Sequence, residues 1–149
     1  MRCWRTADEA GTEAVGEALA AELAPDGVLL LSGDLGSGKT VLARGIARGL
    51  GIDPREIQSP TYTLIREHGS PRRLVHVDLY RLEPGDLDDL GLDELLAGPG
   101  VKVIEWAERL PEEMRPGIGT MGAKGALSLD LHRLADGGRE IRERPDTSL

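Results

Sequence analysis

Apolar residues form two different patterns in the first part of the chain, a continuous run and a regular spacing. The apolar run at residues 27–32 predicts a buried strand, while residues 39–50 carry Leu42, Ile46 and Leu50 at the fourfold spacing that is typical of a helix. Strands that alternate with helices favour a mostly parallel sheet with helices on its faces.

The remaining elements follow from the same patterns. A first helix is predicted over residues 5–24, where Thr6 and Glu9 have the spacing of a capping box. Further strands are predicted at 59–67, 72–82 and 101–106, and further helical segments at 84–96 and 107–114. Near the carboxyl end, residues 126–134 and 139–144 alternate with period two around a turn. They predict a closing antiparallel hairpin that extends or flanks the sheet.

Length and composition favour a single domain over residues 1–149, with a frayed tail at about 145–149. Cys3 is the only cysteine, so no internal disulfide is possible. No apolar run is long enough to cross a membrane, and the start of the chain has no apolar leader region. These features together predict a soluble, cytoplasmic protein.

A glycine-rich loop follows the first buried strand. Residues 33–40 read GDLGSGKT, which matches the phosphate-binding pattern G-x4-G-K-[ST]. Glycines let consecutive backbone N–H groups point at phosphate oxygens, and the following helix presents its positive N-terminus. Lys39 is expected to reach the β- and γ-phosphates, and Thr40 to offer its hydroxyl to Mg²⁺. The strand–loop–helix context predicts an α/β fold of the three-layer P-loop NTPase-like class.

The nucleotide base is predicted to be adenine. Guanine-selective switches use an Asn-Lys-x-Asp element, and this chain contains no asparagine. The predicted cofactors are therefore ATP and Mg²⁺.

Two carboxylates qualify as the acidic partner of a Mg-nucleotide site. Asp78 ends the strand LVHV, and Glu105 ends the strand VKVI. P-loop proteins hold such a carboxylate at the end of a neighbouring strand. The sequence leaves open which of the two is the direct metal ligand. The three histidines show no metal-ligand spacing and are assigned no role.

Four motifs in a fixed order, GDLGSGKT, SPTYTL, HVDLYRL and VIEW, make the chain resemble one family. It resembles the P-loop ATPase family of bacterial tRNA threonylcarbamoyladenosine biosynthesis (TsaE/YjeE type). The resemblance covers roughly residues 6–110 and, more weakly, the GGREIR hairpin. It implies an ATPase that is weak by itself and is stimulated by the heterodimer of the threonylcarbamoyl transferase and its inert paralogue. That enzyme modifies adenosine 37 of tRNAs reading codons that begin with A, and the ATPase does not perform the transfer.

The resemblance also implies residue roles. Thr40 and Glu105 would hold Mg²⁺, Asp78 would be the Walker-B-like acid or water positioner, and Thr61 would sense the γ-phosphate. The nucleotide would be contacted by Glu9, Leu35, Gly36, Ser37, Gly38, Lys39, Thr40, Trp106 and Arg139.

The net charge of −8, from 26 acidic and 18 basic residues, agrees with tRNA being held indirectly through the partners. Two alternatives remain open: a small-molecule kinase on the same loop, and a nucleotide-gated binding module that needs no catalysis. The sequence predicts no membrane partner, and it leaves the oligomeric state undetermined.

Overall fold

The computed structural model describes residues 2–23, 25–57, 65–69, 73–81, 91–110 and 126–144. The strands of this part are β1 (Cys3–Thr6), β2 (Val28–Ser32), β3 (Ile65–His68), β4 (Leu74–Asp78), β5 (Val101–Glu105), β6 (Ala126–Arg133) and β7 (Arg139–Glu143). Its helices are α1 (Glu9–Glu22), α2 (Lys39–Gly49) and α3 (Leu92–Ala97), with short 3-10 helices at Pro54–Glu56 and Ala107–Arg109.

These strands form one sheet in the order β1-β7-β6-β2-β5-β4-β3. The four central strands β6, β2, β5 and β4 are parallel, whereas β3 and the β6–β7 hairpin add antiparallel pairs. The carboxyl ends of the parallel strands therefore meet at one edge of the sheet, where open α/β sheets bind their ligands. The mostly parallel sheet and the closing hairpin are both confirmed.

Helices cover both faces of the sheet, and the central strand β2 contributes apolar residues to both. Leu29 and Leu31 of β2 pack with α1 and α2, while Val28 and Leu30 pack with α3 on the opposite face. All five residues of β2 are buried, as expected for a parallel strand between two helical layers. The predicted three-layer α/β class is thus confirmed.

The start of the chain differs from its prediction. Residues 3–6 form β1, which pairs antiparallel with β7, and the helix begins only at Glu9. The proposed capping box is wrong: Asp8 caps α1 by accepting a hydrogen bond from the Gly11 N–H at 2.8 Å. Thr6 instead pairs its hydroxyl with that of Thr12 at 2.7 Å. Pairing with β7 decides the conformation of residues 3–6, and only the folded hairpin supplies that partner.

Helices α1 and α2 approach each other through glycines. A Cβ atom at Gly45 would lie 2.1 Å from the carbonyl oxygen of Glu13, and one at Gly16 would lie 2.4 Å from that of Leu42. Backbone therefore touches backbone at this crossing. The contact fixes the start of α1 beside the start of α2, which is where the glycine-rich loop ends.

We expect Gly45→Ala to destabilise the protein by about 1–3 kcal/mol, because the added methyl group meets backbone that has no rotamer to change. The unfolding midpoint in urea measures this effect. Arg48→Ala, on the exposed side of the same helix, is the control and should change stability by about 0.5 kcal/mol or less. An unchanged midpoint for Gly45→Ala would contradict the close helix crossing.

Several predictions lie outside the described residues. They are the first part of the strand predicted at 59–67, the first half of the helical segment at 84–96, the end of the segment at 107–114, and the tail at 145–149. The assignment of 1–149 to a single domain stays a prediction for the same reason. Within the described ranges, no helix is both long and apolar enough to cross a lipid bilayer.

Candidate functional site

The glycine-rich loop joins β2 to α2 at the carboxyl edge of the sheet. Gly38 is the residue before α2 and has φ 103°, in the left-handed region that a side chain disfavours. No side chain caps the start of α2. The first N–H groups of this helix and its positive dipole end are therefore directed at the loop, which is the arrangement that binds anions.

Lys39 is buried beneath this loop. Its Nζ donates to the carbonyl oxygens of Gly33 and Asp34 at 2.5 and 2.8 Å and to Ser37 Oγ at 3.2 Å. Burial lowers the pKa of Lys39 from its ordinary value, and the carboxylates of Glu105 and Glu108 oppose that shift. The ammonium group is thus held at the centre of the loop.

A hydroxyl, a carboxylate and an imidazole form a chain of contacts behind the loop. Thr40 Oγ1 donates to the two carboxylate oxygens of Glu105, at 2.9 Å to Oε1 and 3.1 Å to Oε2. His76 Nε2 hydrogen-bonds Glu105 Oε2. Glu105 and His76 are buried almost completely. The carboxylate that ends β5 is therefore fixed against the first turn of α2.

Asp78 lies beside Glu105, because the two residues are paired in the parallel register of β4 and β5. One of its oxygens accepts a hydrogen bond from the Tyr80 N–H at 2.8 Å. Desolvation by burial raises the pKa of Asp78, although that backbone hydrogen bond works in the opposite direction. Two carboxylates thus meet at the carboxyl edge, one strand apart.

Trp106 follows β5 and turns the chain sharply. It has φ 59°, in the left-handed region where a bulky side chain is strained by about 1–3 kcal/mol. This conformation places the indole 4.1 Å from Lys39 Nζ, measured to the ring centroid, and 4.7 Å from the ring of Tyr80. The strained turn therefore puts an aromatic surface over the lysine of the loop.

A cavity of about 510 Å³ connects these groups, within the size range of small-molecule sites. Its other walls are the start of α1, with Asp8, Glu9 and Thr12, and the β6–β7 turn, with Gly137 and Arg139. Arg139 donates through Nη1 to the carbonyls of Gly137 and Gly138, while its buried Nε has no partner among the described residues.

The cavity brings together most of the residues that the sequence selected for a site. Its lining contains Glu9, Leu35, Gly36, Gly38, Lys39, Thr40, Asp78, Glu105, Trp106 and Arg139. The side chain of Ser37 lies beneath the loop, where its Oγ faces Lys39, rather than in the lining. Thr61 lies outside the described residues, so its role stays a prediction.

Sequence reasoning missed two members of this site, His76 and Tyr80. The sequence analysis assigned no role to the histidines, and in the structure His76 contacts Glu105. The missed signal is the motif HVDLY, in which His76 and Asp78 are two residues apart on a strand and therefore share one face. Metal-ligand spacing does not detect a histidine that contacts a carboxylate on another strand.

The donor set of this site fits Mg²⁺. The described residues contain no group of three His, Cys, Asp or Glu side chains able to hold a metal ion. Mg²⁺ needs no such cage, since it keeps several waters and takes most other ligands from one or two carboxylates and substrate phosphates. A threonine hydroxyl and a carboxylate, held together at the mouth of a phosphate-type loop, meet that requirement.

Comparison with known proteins identifies relatives over nearly the whole chain. A family model described as "Threonylcarbamoyl adenosine biosynthesis protein TsaE" matches residues 6–141. The tRNA threonylcarbamoyladenosine biosynthesis protein TsaE of Bacillus subtilis is 40% identical over 139 residues, covering 93% of this chain and 82% of that protein. Its namesake in Treponema pallidum is 42% identical over 115 residues, covering 76% and 78% of the two chains.

A solved structure shows the same architecture. The crystal structure of YdiB from Bacillus subtilis superposes with a TM-score of 0.70 at 35% identity, covering 95% of this chain and 83% of that one. The family model, the relatives and the fold agree, so the chain belongs to the TsaE family of threonylcarbamoyl adenosine biosynthesis proteins.

Proposed function

We propose that this protein is a Mg²⁺-dependent ATPase required for threonylcarbamoyladenosine modification of adenosine 37 in tRNAs that read codons beginning with A. The observation that carries the ATPase assignment is the convergence of Lys39, Thr40, Asp78 and Glu105 on one cavity behind a G-x4-G-K-T loop. Family membership supports the place of this activity in tRNA modification.

Each group has a distinct role in the proposed reaction. The loop N–H groups and Lys39 bind the phosphates, and Thr40 and Glu105 would hold Mg²⁺, which would supply positive charge beside the phosphates. Asp78 lies one strand further from the loop than Glu105, so it is proposed to orient the attacking water. This division assigns the direct metal contact to Glu105, whose carboxylate already hydrogen-bonds the Thr40 hydroxyl.

The remaining walls of the cavity are proposed to hold the nucleoside. Arg139 has a buried Nε without a partner among the described residues, and a buried donor in that state is costly unless a ligand accepts from it. Trp106 supplies an aromatic face, and Glu9 with the start of α1 supplies polar groups. Thr61, outside the described residues, is proposed to sense the γ-phosphate.

The partner is proposed to be the heterodimer of the threonylcarbamoyl transferase and its inert paralogue. The transferase performs the group transfer, and this protein keeps it turning over by hydrolysing ATP. The net charge of −8 supports an indirect contact with tRNA, because a protein that grips tRNA by itself needs many phosphate contacts.

Phosphate release from Mg-ATP tests this proposal directly. We expect a slow rate for the protein alone and a several-fold higher rate when the transferase heterodimer is added. A heterodimer of unrelated acidic proteins at the same concentration is the control for non-specific effects. A phosphate-release rate that does not change when the transferase heterodimer is added would contradict the partnership. Transfer of the γ-phosphate to a metabolite would identify a kinase instead.

A further inference from the structure

His76 is a fully buried polar side chain to which the proposed reaction gives no task. It lies on β4 with 0% of its surface exposed, and its side chain points to the same face of the sheet as Asp78. Its ring reaches across to the next strand and contacts Glu105. The completely buried imidazole thus makes its hydrogen bond to a single carboxylate, that of Glu105.

The contacts of Glu105 determine which imidazole nitrogen carries the proton. A carboxylate only accepts hydrogen bonds, and the single hydroxyl proton of Thr40 is shared between its two oxygens. His76 Nε2 must therefore be the donor to Oε2. The other nitrogen, Nδ1, is buried and has no partner among the described residues. If Nδ1 carried the only ring proton, that buried donor would be unsatisfied. Nε2 would then be an acceptor in contact with Glu105 Oε2, which is also an acceptor.

We propose that His76 is a positioning residue: its Nε2–H holds Glu105 Oε2, so that the carboxylate and the Thr40 hydroxyl together face the Mg²⁺ of the bound nucleotide. This inference rests on the proposed function and deepens it. Two donors on different elements, α2 and β4, fix the carboxylate from two sides. Without His76, the Glu105 side chain keeps only the contact from Thr40 and gains rotational freedom.

The competing explanation is that His76 only stabilises the fold, and the two explanations differ in what the loss of its imidazole should change. Replacing both members of a buried polar pair with apolar groups of similar size is often neutral, whereas removing one member leaves its partner buried with fewer hydrogen bonds and lowers stability. The site can still accept an apolar side chain of this size, since Leu74 on the same face of β4 and Val103, the register partner of His76 on β5, are completely buried. His76→Leu should therefore fold with a lower free energy of unfolding. A purely structural role predicts only this loss, whereas a positioning role predicts in addition that Mg²⁺ strengthens nucleotide binding by the folded variant less than in the wild type.

The test is the affinity of a fluorescently labelled ADP measured with Mg²⁺ and, separately, with EDTA. For His76→Leu we expect the gain in affinity that Mg²⁺ provides to fall by about 10- to 100-fold, the usual effect of losing a contact behind a metal ligand. The affinity in EDTA should stay unchanged. His76→Gln should restore part of the gain, because its amide N–H can donate to the same carboxylate.

Two control comparisons accompany the test. His68→Leu removes an imidazole from β3 at the opposite end of β4, where His68 pairs with Leu74, and should leave the Mg²⁺ effect intact. In a Glu105→Gln background, His76→Leu should add no further loss, since its effect passes through Glu105.

A Mg²⁺ effect in His76→Leu equal to that of the wild type would overturn the inference. A wild type that gains no affinity from Mg²⁺ would overturn the proposed function itself. If His76→Leu does not fold, the same comparison is made with His76→Gln and His76→Asn, whose shorter amide cannot reach Glu105.

Discussion

Lys39→Ala is expected to lower phosphate release from Mg-ATP by about 10²- to 10³-fold, the loss typical when one preorganised donor to a developing charge is removed. In the folded protein the ammonium group is held by Gly33, Asp34 and Ser37 at the centre of the loop. Phosphate oxygens would take over these contacts as charge-assisted hydrogen bonds, which are stronger than those to neutral carbonyls.

The chain offers a matched control in Lys102. This second buried lysine also donates to two backbone carbonyls, those of Asp26 and Gly98, and burial lowers its pKa as well. It lies near the start of β5, at the end of the sheet away from the cavity. We expect Lys39→Met to lower nucleotide affinity and Lys102→Met to leave it unchanged, although both variants lose buried hydrogen bonds to backbone carbonyls. Equal loss of affinity in both variants would refute a specific role for Lys39.

Asp78→Asn is expected to reduce hydrolysis by about 10²- to 10⁴-fold while ATP binding is retained, because the carboxylate that orients the attacking water is lost. We expect this substitution not to lower the stability of the fold. Desolvation raises the pKa of Asp78, so the folded protein disfavours the ionised carboxylate, and this cost persists at pH values above the folded pKa. Asparagine removes the charge and keeps an oxygen for the Tyr80 N–H. The thermal midpoint should therefore be unchanged or higher.

This variant also separates the ATPase from a nucleotide-gated binding module. If function in cells survives Asp78→Asn although hydrolysis is lost, binding alone is sufficient and the catalytic proposal fails. Asp130→Asn is the control, because Asp130 is an acid in the middle of β6 that pairs with Arg144 outside the cavity. Rates of phosphate release, labelled-nucleotide affinities and complementation of a cellular defect in tRNA modification provide the three readouts.

Local signals were strong enough to predict most of the fold. The strand–loop–helix unit at residues 27–50 was readable because a buried parallel strand, a glycine-rich turn and an amphipathic helix each have their own pattern. The β6–β7 hairpin was readable for the same reason, since both strands alternate around a short turn. Asp78 and Glu105 were identified because parallel strands end at one edge, which makes strand-end acids neighbours.

The failures share a cause, which is that the deciding partner is remote in sequence. The tetrapeptide at residues 3–6 is a strand because β7, more than a hundred residues later, offers an edge to pair with. Asp8 caps α1 because β1 ends at Thr6 and leaves the turn before the helix to residues 7 and 8. Helix propensity and a capping pattern describe only neighbouring residues, so tertiary pairing overrides them.

The sequence by itself thus determined the chemistry available to this protein: a loop built for phosphate, a lysine, a threonine and two strand-end carboxylates in an order that matches one family. The tertiary structure decided how those groups are oriented. The parallel register of β4 and β5 sets Asp78 beside Glu105, and the reach of His76 across that register fixes the carboxylate against Thr40. Spacing along the chain specifies which residues are near each other on one element, whereas contacts between elements exist only once the sheet has formed.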